Sequence, residues 1–198
     1  MTYTILRVDA SARSDATSVS RQLADQIIAR ATEQHPDATV IVRDVTNRLP
    51  LVDEAWITAN FTPPEDRTPE QEKALALSDS LIAELKAADL IVIGVPLYNF
   101  GIPASLKAWV DMIIRVGVTF KYTETGPIGF LTGKKAILNF ASGGTAIGSE
   151  GDFASTHLKF VLNFIGITDI QMINADLGSI DPEGSFKSAQ EQVEKLVA

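Results

Sequence analysis

The sequence contains no cysteine. Disulfides, thiol nucleophiles, thiolate-bound zinc and iron–sulfur clusters are therefore excluded from its chemistry. Histidine is almost as scarce: His35 and His157 are the only two among 198 residues. His35 precedes Pro36 at an expected helix end, where an imidazole can cap carbonyls, and His157 falls within a helical pattern. Neither has a nucleophile or second metal ligand at a useful spacing, so a histidine triad or zinc–histidine site is disfavoured and no metal is expected. Long apolar runs are missing too. The run from Tyr3 to Val8 is far too short for a bilayer, and no signal-peptide layout is present, so a cytoplasmic protein with no membrane partner is expected. Positive charge is in deficit, with 17 basic against 25 acidic residues and a net charge of −8. Such a surface repels phosphate backbones, and nucleic acid is not an expected partner.

What is present reads as one α/β domain. Hydrophobic residues make up 45% and charged residues 21%, ordinary proportions for a globular chain of this length. Short β-rich runs alternate with helical patterns. The strands are expected at Tyr3–Val8, Thr39–Asp44, Leu90–Val95, Lys135–Phe140 and Asp169–Ile173. Leu90–Val95 is almost uninterrupted in apolar character, as a strand buried on both faces of a parallel sheet must be. Helices are expected at about Ser18–Gln34, Thr68–Ala87, Pro103–Arg115, Phe153–Phe164 and Glu183–Val197. Thr68, Pro69 and Gln71 predict a capping box with proline in the first helical position. Five strands interleaved with five helices predict a doubly wound parallel sheet of order 2-1-3-4-5 in a single domain covering residues 1–198. The irregular stretch from Val45 to Arg67 is either a lid or interface element or a tolerated insertion.

In such a sheet, ligands bind beyond the carboxyl ends of the strands where the strand order reverses, which singles out the loops after strands 1, 3 and 4. The first holds Ser11, Ser14, Thr17, Ser18 and Ser20 beside Arg13 and leads into a helix. Hydroxyls at a helix N-terminus suit a phosphate dianion, although each could equally serve as a cap. The second holds Leu97, Tyr98, Asn99 and Phe100 between Pro96 and Pro103, a stiff platform for a planar ring; the alternative is that the aromatics cover core. The third reads Ala141-Ser142-Gly143-Gly144, where paired glycines let backbone N–H groups approach a ligand; the alternative is an ordinary turn. No GxGxxG occurs, and Gly133-Lys134-Lys135 lacks the Walker Ser/Thr and precedes a strand. A monophosphate such as FMN fits better than a dinucleotide or a triphosphate.

These residues, together with Leu106-Lys107, Gly117-Val118-Thr119-Phe120, Tyr122-Thr123-Glu124, Gly126-Pro127, Gly129, Thr132-Gly133-Lys134-Lys135 and Phe164-Ile165-Gly166-Ile167, resemble the FMN-dependent NADH azoreductases, also called FMN-dependent NADH:quinone oxidoreductases. The resemblance covers nearly the whole chain. It implies a flavodoxin-like homodimer with one FMN per subunit, and a ping-pong reaction that takes hydride from NADH or NADPH and reduces quinones and azo compounds. By position, the family's phosphate contacts fall on Ser11, Ser18, Val19 and Ser20, its ring contacts on Leu97, Tyr98, Asn99 and Phe100, and its glycine-loop contacts on Ala141, Ser142, Gly143 and Gly144. Phe100, Tyr122 and Phe164 match pocket-lining positions. Val19 and Ala141 stand where the family often has polar residues, so Val19 has only a backbone amide to offer. The alternative is an electron-carrier flavodoxin with no nicotinamide turnover of its own. A phosphoryl-accepting signalling domain of the same topology is disfavoured, since strand 3 ends in Val95-Pro96 with no acceptor Asp. For a nicotinamide 2′-phosphate, Arg13, Arg67 and Arg115 are the cations to inspect.

Overall fold

The computed structural model describes residues 2–196. The strands β1 (Thr4–Asp9), β2 (Thr39–Asp44), β3 (Leu90–Pro96), β6 (Lys135–Ala141) and β7 (Asp169–Ala175) form one sheet of order β2-β1-β3-β6-β7. All four neighbouring pairs are parallel. This is the expected 2-1-3-4-5 topology. β3 lies in the middle and is buried at every residue, which accounts for its apolar run.

Side chains alternate across the strands and divide the core into two layers. Leu6, Ile91, Ile93 and Leu138 pack under Leu81 and Leu85 of α3 (Pro69–Ala87), Trp109 and Val110 of α4 (Ala104–Ile113), and Leu158 of α5 (Phe153–Phe164). On the opposite face Ile5, Leu90, Val92 and Ile137 meet Leu23 and Ile27 of α1 (Val19–Gln34) and Val193 of α6 (Pro182–Glu194). The Thr68/Gln71 capping box forms as expected. His35 caps α1 through its backbone N–H to Ala31 O, while its ring stacks on Tyr3 at 3.7 Å instead of binding carbonyls. The last helix ends at Glu194; Val197, its expected end, lies outside the described residues.

Two elements depart from the five-and-five expectation. Residues 45–67 carry a short helix, α2 (Glu54–Phe61), and a 3-10 turn (Pro64–Asp66). Asp53 caps α2 by accepting from Trp56 N–H at 2.8 Å. Arg67 Nε donates to Ala59 O at 3.2 Å and Thr62 O at 3.0 Å, closing the segment. The second is an antiparallel hairpin of β4 (Phe120–Thr123) and β5 (Gly126–Gly129). It lies so close to the end of α5 that a Cβ on Gly129 would stand 2.1 Å from the backbone of Ile165 and Gly166. Only glycine fits there.

Candidate functional site

The first turn of α1 faces a cavity of about 380 Å³ at the carboxyl ends of the strands, within the roughly 300–1,000 Å³ typical of small-molecule sites. Ser18 is the N-cap, and its Oγ accepts from Arg21 N–H at 3.3 Å. The N–H groups of Val19 and Ser20, which follow the cap, have no acceptor within the helix and carry its positive dipole end. Ser18 and Ser20 Oγ lie 3.3 Å apart, both residues buried. Ser11 is buried as well, and its Oγ accepts from Arg13 N–H at 3.3 Å. Ser11, Arg13, Ser18, Val19 and Ser20 all line the cavity.

The second loop projects from β3. Tyr98 and Gly101 exchange backbone hydrogen bonds of 3.1 and 3.2 Å around Asn99 and Phe100. Both central residues have positive φ, 49° and 72°, a conformation uncommon for residues with side chains. Strain of this kind is retained where surrounding structure enforces it, typically at functional sites. Tyr98 is 39% and Phe100 58% exposed, so neither serves as core cover. The Tyr98 hydroxyl accepts from Ala12 N–H at 3.1 Å, tying this loop to the serine loop.

The third loop is clamped from two sides. Leu97 N–H donates to Ala141 O at 2.8 Å, and Ser142 Oγ donates to Thr145 O. A fourth loop, between β7 and α6, completes the wall: Gly178 N–H donates to Ser142 O and Ser179 N–H to Gly143 O, each at 2.9 Å. Gly178, Ser179, Ser185 and Phe186 line the cavity, a contribution absent from the reading of loops 1, 3 and 4. Sheet order alone is the signal for it, since β7 neighbours β6. A Cβ on Gly143 would stand 2.7 Å from Ser179 Oγ, whereas one on Gly144 would meet nothing within 4 Å. The close approach in this pair belongs to Gly143.

Of the sequence-nominated residues, Ser11, Ser18, Val19, Ser20, Leu97, Tyr98, Ala141, Ser142 and Gly143 share this one cavity. Asn99, Phe100 and Gly144 adjoin it in sequence without forming its walls. Tyr122 and Phe164 belong to a separate aromatic group, in which Phe120 lies 5.3 Å from Tyr122 and 4.5 Å from Phe164. Arg13 is on the cavity wall. Arg67 is engaged by backbone carbonyls, and the buried Arg115 by Asn60, Ser78 and Asp79. His157 is half-buried on α5, where burial and nearby Lys107 push its imidazole below the ordinary range.

Residues 3–197 match the model of a family described as flavodoxin-like fold. A protein of Jannaschia sp. (strain CCS1) named FMN-dependent NADH:quinone oxidoreductase 1 is 55% identical over 194 residues, 98% of each chain. The chain belongs to this flavodoxin-like family. A second family member, from Thiobacillus denitrificans (strain ATCC 25259 / T1) and named FMN-dependent NADH:quinone oxidoreductase, is 52% identical across 96% of this chain and 92% of its own. Among solved flavodoxin-like structures, azoreductase from Bacillus anthracis str. Sterne superposes with a TM-score of 0.89 at 31% identity, covering 98% and 97% of the two chains. An FMN-dependent NADH-azoreductase from Bacillus anthracis str. Ames Ancestor, solved in complex with FMN, gives a TM-score of 0.87 at 28% identity over 98% and 96%.

Proposed function

We propose that this chain is an FMN-dependent NAD(P)H oxidoreductase that reduces quinones and aromatic azo compounds by a ping-pong hydride transfer. It acts as a single FMN-binding domain, in the cytoplasm, as a homodimer. The observation that carries the reading is the meeting of the serine-rich helix start, the strained aromatic turn and the Ser142-Gly143 backbone at one cavity, in a chain 55% identical to a protein named for this activity.

The residues fit the cofactor. Hydroxyls of Ser11, Ser18 and Ser20 and the first-turn amides of Val19 and Ser20 hold the phosphate, with hydrogen bonds strengthened by its charge. Val19 contributes through its main chain. Leu97 and Tyr98 on the cavity wall, with Asn99 and Phe100 beside it, would carry the flavin ring on a turn whose shape the Tyr98–Gly101 bonds fix. Ala141 and Ser142, whose N–H donates to Ala175 O at 3.1 Å, would form the wall beside the ring, and the backbone N–H groups of Gly143 and Gly144 would face the ring edge, where donors favour the negative charge of the reduced flavin. Bound FMN supplies the two-electron chemistry, between NADH or NADPH and the acceptor.

The homodimer draws support from the aromatic surface. Tyr122 and Phe160 are each 70% exposed, and with Phe164 and the buried Phe120 they make an apolar patch of the kind that covers partners. A second copy there brings Tyr122 and Phe164 to the acceptor side of the site. No helix among the described residues is long and apolar enough to cross a membrane.

Anaerobic mixing tests the reading. The yellow FMN-loaded protein is expected to bleach on addition of NADH, and to regain colour when a quinone or an azo dye is added. Protein that binds FMN yet stays yellow with both NADH and NADPH is a carrier, not this enzyme.

A further inference from the structure

Behind the serine-rich loop lies an ion network that the proposed chemistry does not use. Arg21 sits in the first turn of α1, with its side chain 9% exposed. Its Nη2 donates to Ser11 O at 3.0 Å and to Asp44 Oδ2 at 2.7 Å. Its Nη1 reaches Asp9 Oδ2 at 3.4 Å and Asp15 Oδ1 at 3.3 Å. Its backbone N–H is the group that Ser18 Oγ accepts. One residue therefore touches the loop at its start, middle and end, and is anchored on the last residues of β1 and β2. Arg7 braces it from beneath, donating to Asp9 Oδ2 at 2.8 Å and to Arg21 O at 3.3 Å, and pairing with Asp25.

The charges show what this network is not. Two guanidiniums face four carboxylates (Asp9, Asp15, Asp25 and Asp44), so it presents no positive surface to an anion. Arg21 is not among the residues lining the cavity; its fork is turned away, into the loop's own carbonyl and acids. Burying such groups is costly unless geometry is secured in return. Burial pushes the Asp9 carboxyl up in spite of Arg7 and Arg21 beside it.

We propose that Arg21 is a positioning residue. It clasps loop 11–18 so that the Ser11, Ser18 and Ser20 hydroxyls and the helix-start amides are set for a phosphomonoester before the ligand arrives. The clasp thereby makes the site prefer FMN to riboflavin, which has the same ring and no phosphate. The inference rests on the cavity being the FMN site. A loop already held in its bound shape pays no ordering cost on binding. The planar five-donor fork of arginine suits several acceptors at once, and an ammonium does not.

The test is titration of the flavin-stripped full-length chain with FMN and, separately, with riboflavin, read by quenching of flavin fluorescence. Arg21→Lys keeps the buried positive charge and loses the fork. It is expected to raise the FMN Kd about tenfold while the riboflavin Kd stays within about twofold. Amide exchange over residues 12–18 of the flavin-free variant is expected to be faster than in wild type. A role confined to general stability would weaken both flavins alike and leave their ratio unchanged, and that result overturns the clasp. Should Arg21→Lys fail to fold, Asp15→Asn decides: this side chain is 75% exposed and belongs to the loop itself. Its expected effect is an FMN Kd raised about threefold with riboflavin unchanged, and an unaltered FMN Kd overturns the proposal. Wild type that binds neither flavin overturns the reading of the cavity. Wild type that binds both equally overturns the clasp and the phosphate contacts with it, and leaves only the ring site in the cavity.

Discussion

At the amino ends of the five parallel strands polar groups close on one another, whereas at the carboxyl ends some do so around Arg21 and Asp152 and others face a cavity. Thr4 N–H donates to the Asp89 carboxylate at 2.8 Å, and Lys134 Nζ donates to Ala88 O at 2.6 Å and Lys86 O at 2.8 Å. Burial lowers the Lys134 pKa, against a smaller opposing pull from Asp89. At one corner the Tyr3 and His35 rings stack on each other. At the other end stand first-turn amides without helical acceptors, three buried serines and a turn with two side-chain-bearing residues at positive φ. The same strands feed both ends. A chain that satisfies its polar groups at one end has the means to do so at the other, and the open end is where the proposed FMN would supply the missing partners.

Substitutions at the two ends should therefore separate flavin binding from stability. The largest expected effect is on stability, at a carboxyl-end group that is already satisfied: Asp152, the cap of α5, accepts from the N–H groups of Ala154, Ser155 and Gly148 and from the Ser155 hydroxyl. Asp152→Ala is expected to cost about 2 kcal/mol at neutral pH, measured by urea unfolding. Burial works to raise this carboxyl, but those hydrogen bonds outweigh it and hold the group below the ordinary range. Its stabilisation is therefore present above the unfolded aspartate pKa, about 3.9, and is lost as pH falls through the lower folded value. The wild-type-minus-variant difference should shrink on acidification.

Gly143→Val comes next. Its Cβ meets Ser179 Oγ, the end of a side chain free to turn, so the fold should tolerate it while the cavity wall does not. FMN affinity is expected to fall about tenfold with a melting temperature close to wild type; equal affinity would break the contrast between the ends. Lys134→Met is its counterpart at the closed end, with a loss of about 1 kcal/mol in stability and an unchanged FMN Kd. Tyr3→Leu should have the smallest effect, about 0.5–1 kcal/mol from the lost ring stack, again without a flavin phenotype by fluorescence titration.

The sheet order, the burial of β3 on both faces and the Thr68 capping box were legible in the sequence because each rests on local periodicity, on an apolar run or on a short cap pattern. α2 was not, since its residues (EAWITANF) are apolar without a helical stripe. The β4–β5 hairpin escaped for a related reason: its strands have four residues each and contain glycine and proline. Three cavity loops were readable from topology and composition. The fourth, at Gly178 and Ser179, was overlooked because it has the composition of any surface turn and gains meaning only from the backbone bonds that seat it on Ser142 and Gly143. Arg21 was invisible because its partners Asp9, Ser11 and Asp44 lie 10 to 23 residues away along the chain.

A crystal structure of the chain grown with FMN puts the whole account at risk in one measurement. The phosphate is expected within hydrogen-bonding distance of the Val19 and Ser20 N–H groups and the Ser18 hydroxyl, with the flavin ring beside residues 97–100 and Gly143. Electron density for FMN elsewhere, or crystals that take up none at saturating concentration, would contradict it.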